Sequence, residues 1–192
     1  MLLQRNVFLR TGRLFSTTAC RLNTSKPSST QPYLHFHPLP KDATRPFAVS
    51  FLSSQDLPSN STITDYSNLI IGWSPETIDM KTFVENPGYI NFMTNVLKHN
   101  IHKVNDSTLK SLAEWQKEGW LHIADERNPP PWGRIPYPED IIGTVLVNNG
   151  VIQPETYQEM PTHRLVTSNG IFQLSEPLRQ CIIDASKKLV KQ

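Results

Sequence analysis

Residues 120–147, WLHIADERNPPPWGRIPYPEDIIGTVLV, contain two strand-like runs separated by five prolines. The run 120–123 alternates as a half-buried strand does, and the nearly continuous apolar run 141–147 is typical of a covered strand. Each proline fixes φ, removes an amide donor and biases the preceding residue toward extended geometry. The stretch therefore predicts two strands joined by an ordered connector, which loses little chain entropy on folding.

Charged side chains crowd this connector: Asp125, Glu126, Arg127, Arg134, Glu139 and Asp140. In one interpretation they pair with one another around a solvated proline loop, and exposed pairs contribute only about 0–1 kcal/mol each. In the other, the loop presents Trp132 and Arg134 to a partner, because Trp and Arg are enriched at interface hot spots. On that second interpretation the candidate binding residues are Trp132, Arg134, Asp125, Arg127, Glu139 and Asp140.

The composition is typical of one globular, loop-rich domain, with 192 residues, 38% hydrophobic and 19% charged, and 16 prolines against 8 glycines. The charge is uneven, because residues 1–22 contain 4 arginines and no acidic residue. Subtracting these 4 from the 19 lysines and arginines leaves 15 basic against 17 acidic residues, a net charge of −2 for the remainder. This negative remainder disfavours nucleic acid as a partner, since phosphate contacts supply most nonspecific affinity.

Residues 1–22 have the composition of a mitochondrial presequence, with arginines, hydroxyl side chains and apolar residues able to share one helical face. Arg13-Leu14-Phe15-Ser16 resembles the cleavage pattern of the matrix peptidase, and residues 15–22 resemble the octapeptide removed in a second step. A disordered basic tail is the alternative, and a secretory signal is disfavoured because no uninterrupted apolar core follows. We therefore expect a fungal-type mitochondrial protein with a transit peptide, in the matrix or on the matrix side of the inner membrane.

The mature chain is expected to be soluble or peripheral to a membrane. No run approaches the ~18–20 apolar residues needed to span a bilayer. Cys20 would leave with the presequence, so Cys181 would remain alone and no intrachain disulfide could form.

The first half of the remaining chain predicts strands. Residues 23–32 are rich in Ser, Thr, Pro, Lys and Gln, which predicts a disordered linker. Extended segments follow at 33–37, 47–52 and 69–73, and residues 57–65 are turn-like. Order is therefore expected to begin near Tyr33.

Apolar stripes and capping residues predict three helices: one capped by Asn86 and running to about His102, one starting at Asp106 or Ser107 and ending at a left-handed Gly119, and one capped by Ser175. The second helix carries balanced charges, which disfavours a DNA-reading helix-turn-helix.

Two Asn-Gly pairs, at 149–150 and 169–170, predict β-hairpins with type I′ turns. Strands are then expected near 141–148, 151–153, 163–168 and 171–174. Because strands and helices do not alternate as βαβ units, residues 33–190 predict a single α+β domain. We expect a mostly antiparallel sheet with C-terminal hairpins and about three helices packed on one face.

Signals for catalysis are sparse, since the chain has no Gly-rich phosphate loop, nucleophile elbow or His-Glu-x-x-His motif. His122, Asp125 and Glu126 are the candidate acid/base residues, with Arg127 and Arg134 placed to bind an anionic substrate. A strand would put His122 and Asp125 on opposite faces, so their partnership requires the strand to end first.

Histidine spacing permits two pairs of metal ligands: His35 with His37 on a strand, and His99 with His102 on a helix. Nothing in the sequence requires the pairs to meet, and neither a metal nor another cofactor is expected. Surface or capped histidines are the alternative.

Two main hypotheses for function remain. The first is a non-enzymatic mitochondrial accessory or assembly factor that binds a protein partner through the Trp132 and Arg134 loop. The second is a small enzyme with a site around His122, Asp125 and Arg134. A protein associated with the mitochondrial ribosome is a further alternative.

Overall fold

A computed structural model of the chain describes residues 24–40, 45–75 and 77–191. The predicted presequence and Asn23 lie outside the described residues. Antiparallel sheets and separate helices make up the fold, which confirms the predicted α+β class. Within the described ranges, no helix combines the length and apolar character needed to cross a membrane.

A five-stranded antiparallel sheet forms the first half, in the order β1-β2-β3-β4-β5. Its strands are β1 (Lys26–Pro27), β2 (His35–Pro38), β3 (Phe47–Ser50), β4 (Gly72–Ser74) and β5 (Val84–Glu85). The prediction of a linker over 23–32 differs from this arrangement, because β1 pairs with β2 and Gln31 is buried. The composition did not indicate this strand, because two ladder pairs form it and neither of its side chains is buried.

Three α-helices follow the predicted caps: α1 (Pro87–Asn100), α2 (Ser107–Gln116) and α3 (Glu176–Val190). The side chains of Asn86, Asp106 and Ser175 each accept an amide hydrogen bond at the helix start. The expected count of about three helices is slightly low, because the described residues also form four short 3-10 segments: Ser54–Asp56, Ile63–Leu69, Ile101–Lys103 and Pro138–Asp140.

The predicted end of α2 at Gly119 is wrong. Lys117 is the C-terminal cap, with φ of 66°, and its amide donates to the Ala113 carbonyl. Gly119 also has a positive φ, 99°, but it already opens the next strand. The chain thus turns two residues earlier than the glycine suggests, and α2 leads directly into the adjacent strand.

The second half is organised around a long strand, β7 (Ile141–Asn148), which pairs with β6 (Gly119–Ala124) along its length. On its other side β7 pairs with β8 (Val151–Ile152) and β9 (Gln158–Glu159). A separate small ladder joins β10 (Val166–Thr167) and β11 (Gly170–Ile171). The predicted single sheet is therefore divided, and the runs 120–123 and 141–147 become its central hairpin.

The two Asn-Gly pairs behave differently. Asn149 and Gly150 have φ of 51° and 76°, the positive values that a type I′ turn requires, and this hairpin prediction is confirmed. In the second hairpin Thr167 pairs with Gly170, so the turn residues are Ser168 and Asn169, and only the glycine of its Asn-Gly pair has a positive φ, 99°. The type I′ prediction for that hairpin is wrong.

The main hydrophobic core contains residues of all three sheets described above and of all three α-helices. Among its fully buried members are Tyr89, Leu97, Ile123, Phe172 and Ile182. A smaller cluster packs Val190 of α3 against Leu52 and the Ile63–Leu69 segment. The core thereby fixes α2 and β6 in place, and both elements also border the connector.

Candidate functional site

The alternation of β6 separates the predicted acid/base residues. Leu121, Ile123 and Asp125 are buried, whereas His122 is only partly buried. Because the strand continues to Ala124, it does not end early enough for Asp125 to reach the side on which His122 lies. The structure therefore does not bring His122 and Asp125 together.

Asp125 is buried, and both of its carboxylate oxygens are occupied. Its Oδ1 accepts from the amides of Arg127 at 3.0 Å and Gln173 at 2.9 Å. Its Oδ2 lies 3.1 Å from Nε2 of His163 and 3.3 Å from Nε of Arg127. The imidazole that contacts Asp125 thus belongs to His163, which sequence reasoning did not single out.

The guanidinium of Arg127 is removed from solvent, and all of its donor nitrogens have partners. Nε lies between Asp125 and Asp140, 3.3 and 3.2 Å from their carboxylate oxygens. Nη1 and Nη2 each donate to two backbone carbonyls, at 2.7–3.3 Å: those of Leu165, Gly170, Glu139 and Arg164. A guanidinium has five N–H donors, so none is left for an anionic ligand.

We call Asp125, Arg127, Asp140 and His163 the base cluster, because they close the connector at its base. The Asp125 amide donates to the Asp140 carbonyl at 2.8 Å, and Asn128 donates to the Asp140 carboxylate at 2.9 Å. Three of the predicted binding residues are therefore held in the interior. Glu139 joins them through its backbone carbonyl, while its side chain is exposed.

Residues 129–136, which we call the proline loop, extend from this base and lie opposite α2. Gly133 has φ of 73°, and a Cβ built there would be 3.5 Å from the ring of Trp115. Large apolar side chains remain open to solvent here, with Trp115 and Trp132 each 60% exposed and Ile135 73% exposed. The sequence analysis did not single out Trp115. Its position outside the apolar stripe of α2 is a signal that this large side chain is exposed.

Between α2, β6 and the proline loop lies a cleft of about 250 Å³, which we call the loop cleft. Its floor includes Leu121 and Ile123. Among the predicted site residues it brings together His122, Glu126, Trp132 and Arg134, and it excludes Asp125. Burial and the nearby Asp106 carboxylate raise the pKa of Glu126, while Arg179 opposes the shift.

One end of the loop cleft is built from the N-termini of two helices. Asp106 caps α2 by accepting from the Leu109 amide at 3.0 Å, and it also accepts from the Ser175 hydroxyl at 2.5 Å. Ser175 in turn caps α3 by accepting from the Leu178 amide at 3.4 Å. The shared cap fixes this end of the cleft to the core.

No family model, curated protein or solved structure matches this chain.

Two of the four histidines proposed as metal ligands contact backbone carbonyls. Nε2 of His37 lies 2.7 Å from the Leu52 carbonyl, and Nδ1 of His99 lies 2.7 Å from the Asn95 carbonyl. No group of three or more metal-capable side chains forms in the part of the chain that the structure describes, so His35 and His102 add no third or fourth ligand there.

Proposed function

We propose that this protein is a non-enzymatic mitochondrial accessory factor that binds a protein partner at the loop cleft. The observation that carries the proposal is the exposure of Trp115, Trp132 and Ile135 around one cleft. Single exposed apolar residues are ordinary, but a contiguous apolar patch is typical of an interaction site. Trp is also among the side chains most enriched at interface hot spots.

The base cluster supports this function by holding the proline loop before a partner arrives. Arg127 connects the base to four backbone carbonyls, and the prolines of the loop restrict its φ angles. A surface ordered in advance loses less conformational entropy on binding, so more of the contact energy appears as affinity. The buried charges thus act on binding through the shape of the loop and not by touching the partner.

The mitochondrial part of the proposal rests on the acid-free arginine segment at 1–22. We expect protein purified from mitochondria to lack a segment that ends between Leu14 and Leu22. N-terminal sequencing of the organelle-purified chain measures this directly. An intact Met1 on that protein would contradict the transit peptide.

Replacing Trp132 with Ala tests the contact surface. Because Trp132 is 60% exposed, we expect the free energy of unfolding to change by no more than about 0.5 kcal/mol. The affinity for the partner should fall by more than about 1 kcal/mol, as at an important interface position. Thermal melting and pull-down from mitochondrial extract, on the same preparations, provide the two measurements.

Tyr137→Ala is the matched control for this experiment. Tyr137 follows the proline loop and is 68% exposed, but it does not line the loop cleft. Its replacement should leave partner capture unchanged. Normal capture by a stably folded Trp132→Ala, Arg134→Ala double variant would eliminate the loop cleft as the contact surface.

A second candidate, a small enzyme, is favoured by one observation. His122, Glu126 and Arg134 line the same cleft, and the raised pKa of Glu126 suits a general acid or base. Asp125 would take no direct part, because the base cluster occupies both of its oxygens. The capture experiment separates the candidates, since an enzyme acting on a small molecule would retain no Trp132-dependent protein partner.

A further inference from the structure

The loop cleft is a trough whose length follows from α2. Asp106 lies at the N-terminal end of this helix and Trp115 near its C-terminal end, and both line the cleft. Nine residues at ~1.5 Å per residue give a span of roughly 13 Å. The chain then returns along β6, so that Glu126 comes back close to Asp106.

The two ends of this trough differ in chemistry. The far end is aromatic, because the proline loop brings Gly133 against Trp115 and the adjacent Trp132 is exposed. The near end carries the carboxylates of Asp106 and Glu126. An apolar group and a charged group of one ligand would therefore bind at opposite ends.

The two carboxylates at the near end have no ion-pair partner within the described ranges, although Arg179 acts on Glu126 from a longer distance. Asp106 is only 3% exposed, and its two hydrogen-bond partners, the Leu109 amide and the Ser175 hydroxyl, are both neutral. No cation forms an ion pair with Asp106 or Glu126 among the described residues. The nearby Arg179 is instead paired with Glu176 and stacked 3.8 Å from the centre of the Tyr33 ring.

We propose that the loop cleft binds an extended segment of a partner protein that carries a bulky apolar side chain and, four positions away, a lysine or arginine. This inference rests on the proposed function and specifies the chemistry of its partner. A strand rises about 3.3 Å per residue, so the 13 Å trough holds roughly four residue steps. Side chains at positions i and i+4 of a strand share one face, which lets both ends of the trough be filled at once.

In the bound state the apolar side chain lies between Trp115 and Trp132, and the cation faces Glu126 with Asp106 behind it. Charge complementarity decides between a basic and an acidic partner, since a like charge placed at the near end would be repelled. Arg134 forms no ion pair with Glu126 or Asp106 among the described residues, so it does not occupy the place proposed for the bound cation.

Five-residue peptides test this arrangement on the full 192-residue chain. The probes are fluorescein-labelled Leu-Gly-Ser-Gly-Lys with amidated C-terminus, the same peptide with Gln or Glu in place of Lys, and the reversed orders. Titration followed by fluorescence anisotropy should show that one Lys peptide binds about fivefold more tightly than its Gln version. The Glu version should bind more weakly still, and the preference for Lys should decrease as salt is added.

Variants assign the preference to the near end of the cleft. Glu126→Gln should reduce the preference for Lys over Gln to less than about twofold. Glu114→Gln is the matched control, because Glu114 is exposed on α2 and does not line the cleft, and it should keep the full preference. Trp132→Ala should weaken all bound peptides about equally.

Three outcomes would overturn the inference. Equal affinity for the Lys, Gln and Glu peptides would show that the ligand needs no lysine or arginine. If the binding of all three peptides still depended on Trp132, the proposed function would remain supported. If no peptide bound at millimolar concentration, the proposal that the cleft binds an extended segment would be rejected. Partner capture that depends on Trp132 would still support the proposed function. Dimerisation that Trp132→Ala abolishes, measured by sedimentation, would assign the cleft to a second copy of the chain.

Discussion

Replacing Arg127 with Met is expected to lower the free energy of unfolding by about 3–5 kcal/mol, the cost of breaking a buried ion pair by removing one partner. The variant would leave the carboxylates of Asp125 and Asp140 buried without their cation. It would also leave four backbone carbonyls without the guanidinium donors. Urea denaturation of the purified chain measures the change.

Arg134→Met is the control, because Arg134 carries the same side chain in the same connector but is exposed. We expect it to alter stability by no more than about 0.5 kcal/mol. A triple variant, Asp125→Asn, Arg127→Met and Asp140→Asn, should recover part of the loss, since no unpaired charge would remain buried. An Arg127→Met protein as stable as the control would show that the base cluster does not stabilise the fold.

Arg127→Met and Trp132→Ala should affect different properties of the connector. The base cluster holds the ends of the loop, while Trp132 and Ile135 are exposed along it. Loss of Arg127 should therefore reduce partner affinity through loop disorder, even at temperatures where the domain remains folded. Loss of Trp132 removes contact area but leaves the loop in place. Stability and affinity thus respond to different residues within one short segment.

Local signals in the sequence were sufficient for much of this fold. The caps at Asn86, Asp106 and Ser175 depend on a side chain and an amide two or three residues away. The turn at 149–150 depends on two adjacent φ angles. Such features are determined by neighbours in the chain, so one sequence is enough to predict them.

The candidate site required information that a local pattern does not contain. His163 lies 38 residues from Asp125, and the carbonyl of Gly170 lies 43 residues from Arg127. One of the two interpretations of the connector has its charges paired in solvent, whereas Arg127 pairs with Asp125 and Asp140 in the interior. The sequence alone does not show this burial. The pairing of β1 with β2 was missed for the same reason, because an edge strand depends on its partner.

Gly143 gives a second large stability effect, because other atoms occupy the space that a side chain would need. It lies on β7 between Ile123 of β6 and Glu159 of β9. A Cβ built there would be 2.6 Å from both the Gln158 carbonyl oxygen and the ring of Tyr157. We expect Gly143→Ala to lower the free energy of unfolding by about 1–3 kcal/mol, as overpacking of a core does. Urea denaturation measures this loss.

The damage should be confined to one side of β7, because the obstructing atoms all belong to residues 157–158. The Met160 amide, which donates to Ile142 at 3.2 Å, should therefore exchange faster with solvent in the variant, while β6 amides keep their protection. Gly170→Ala is the control, since φ there is 99° but no atom lies within 4 Å of the added Cβ, so it measures backbone strain alone. Unchanged stability and exchange in Gly143→Ala would mean that β9 can move away freely, and that the side of β7 opposite the loop cleft is not tightly packed.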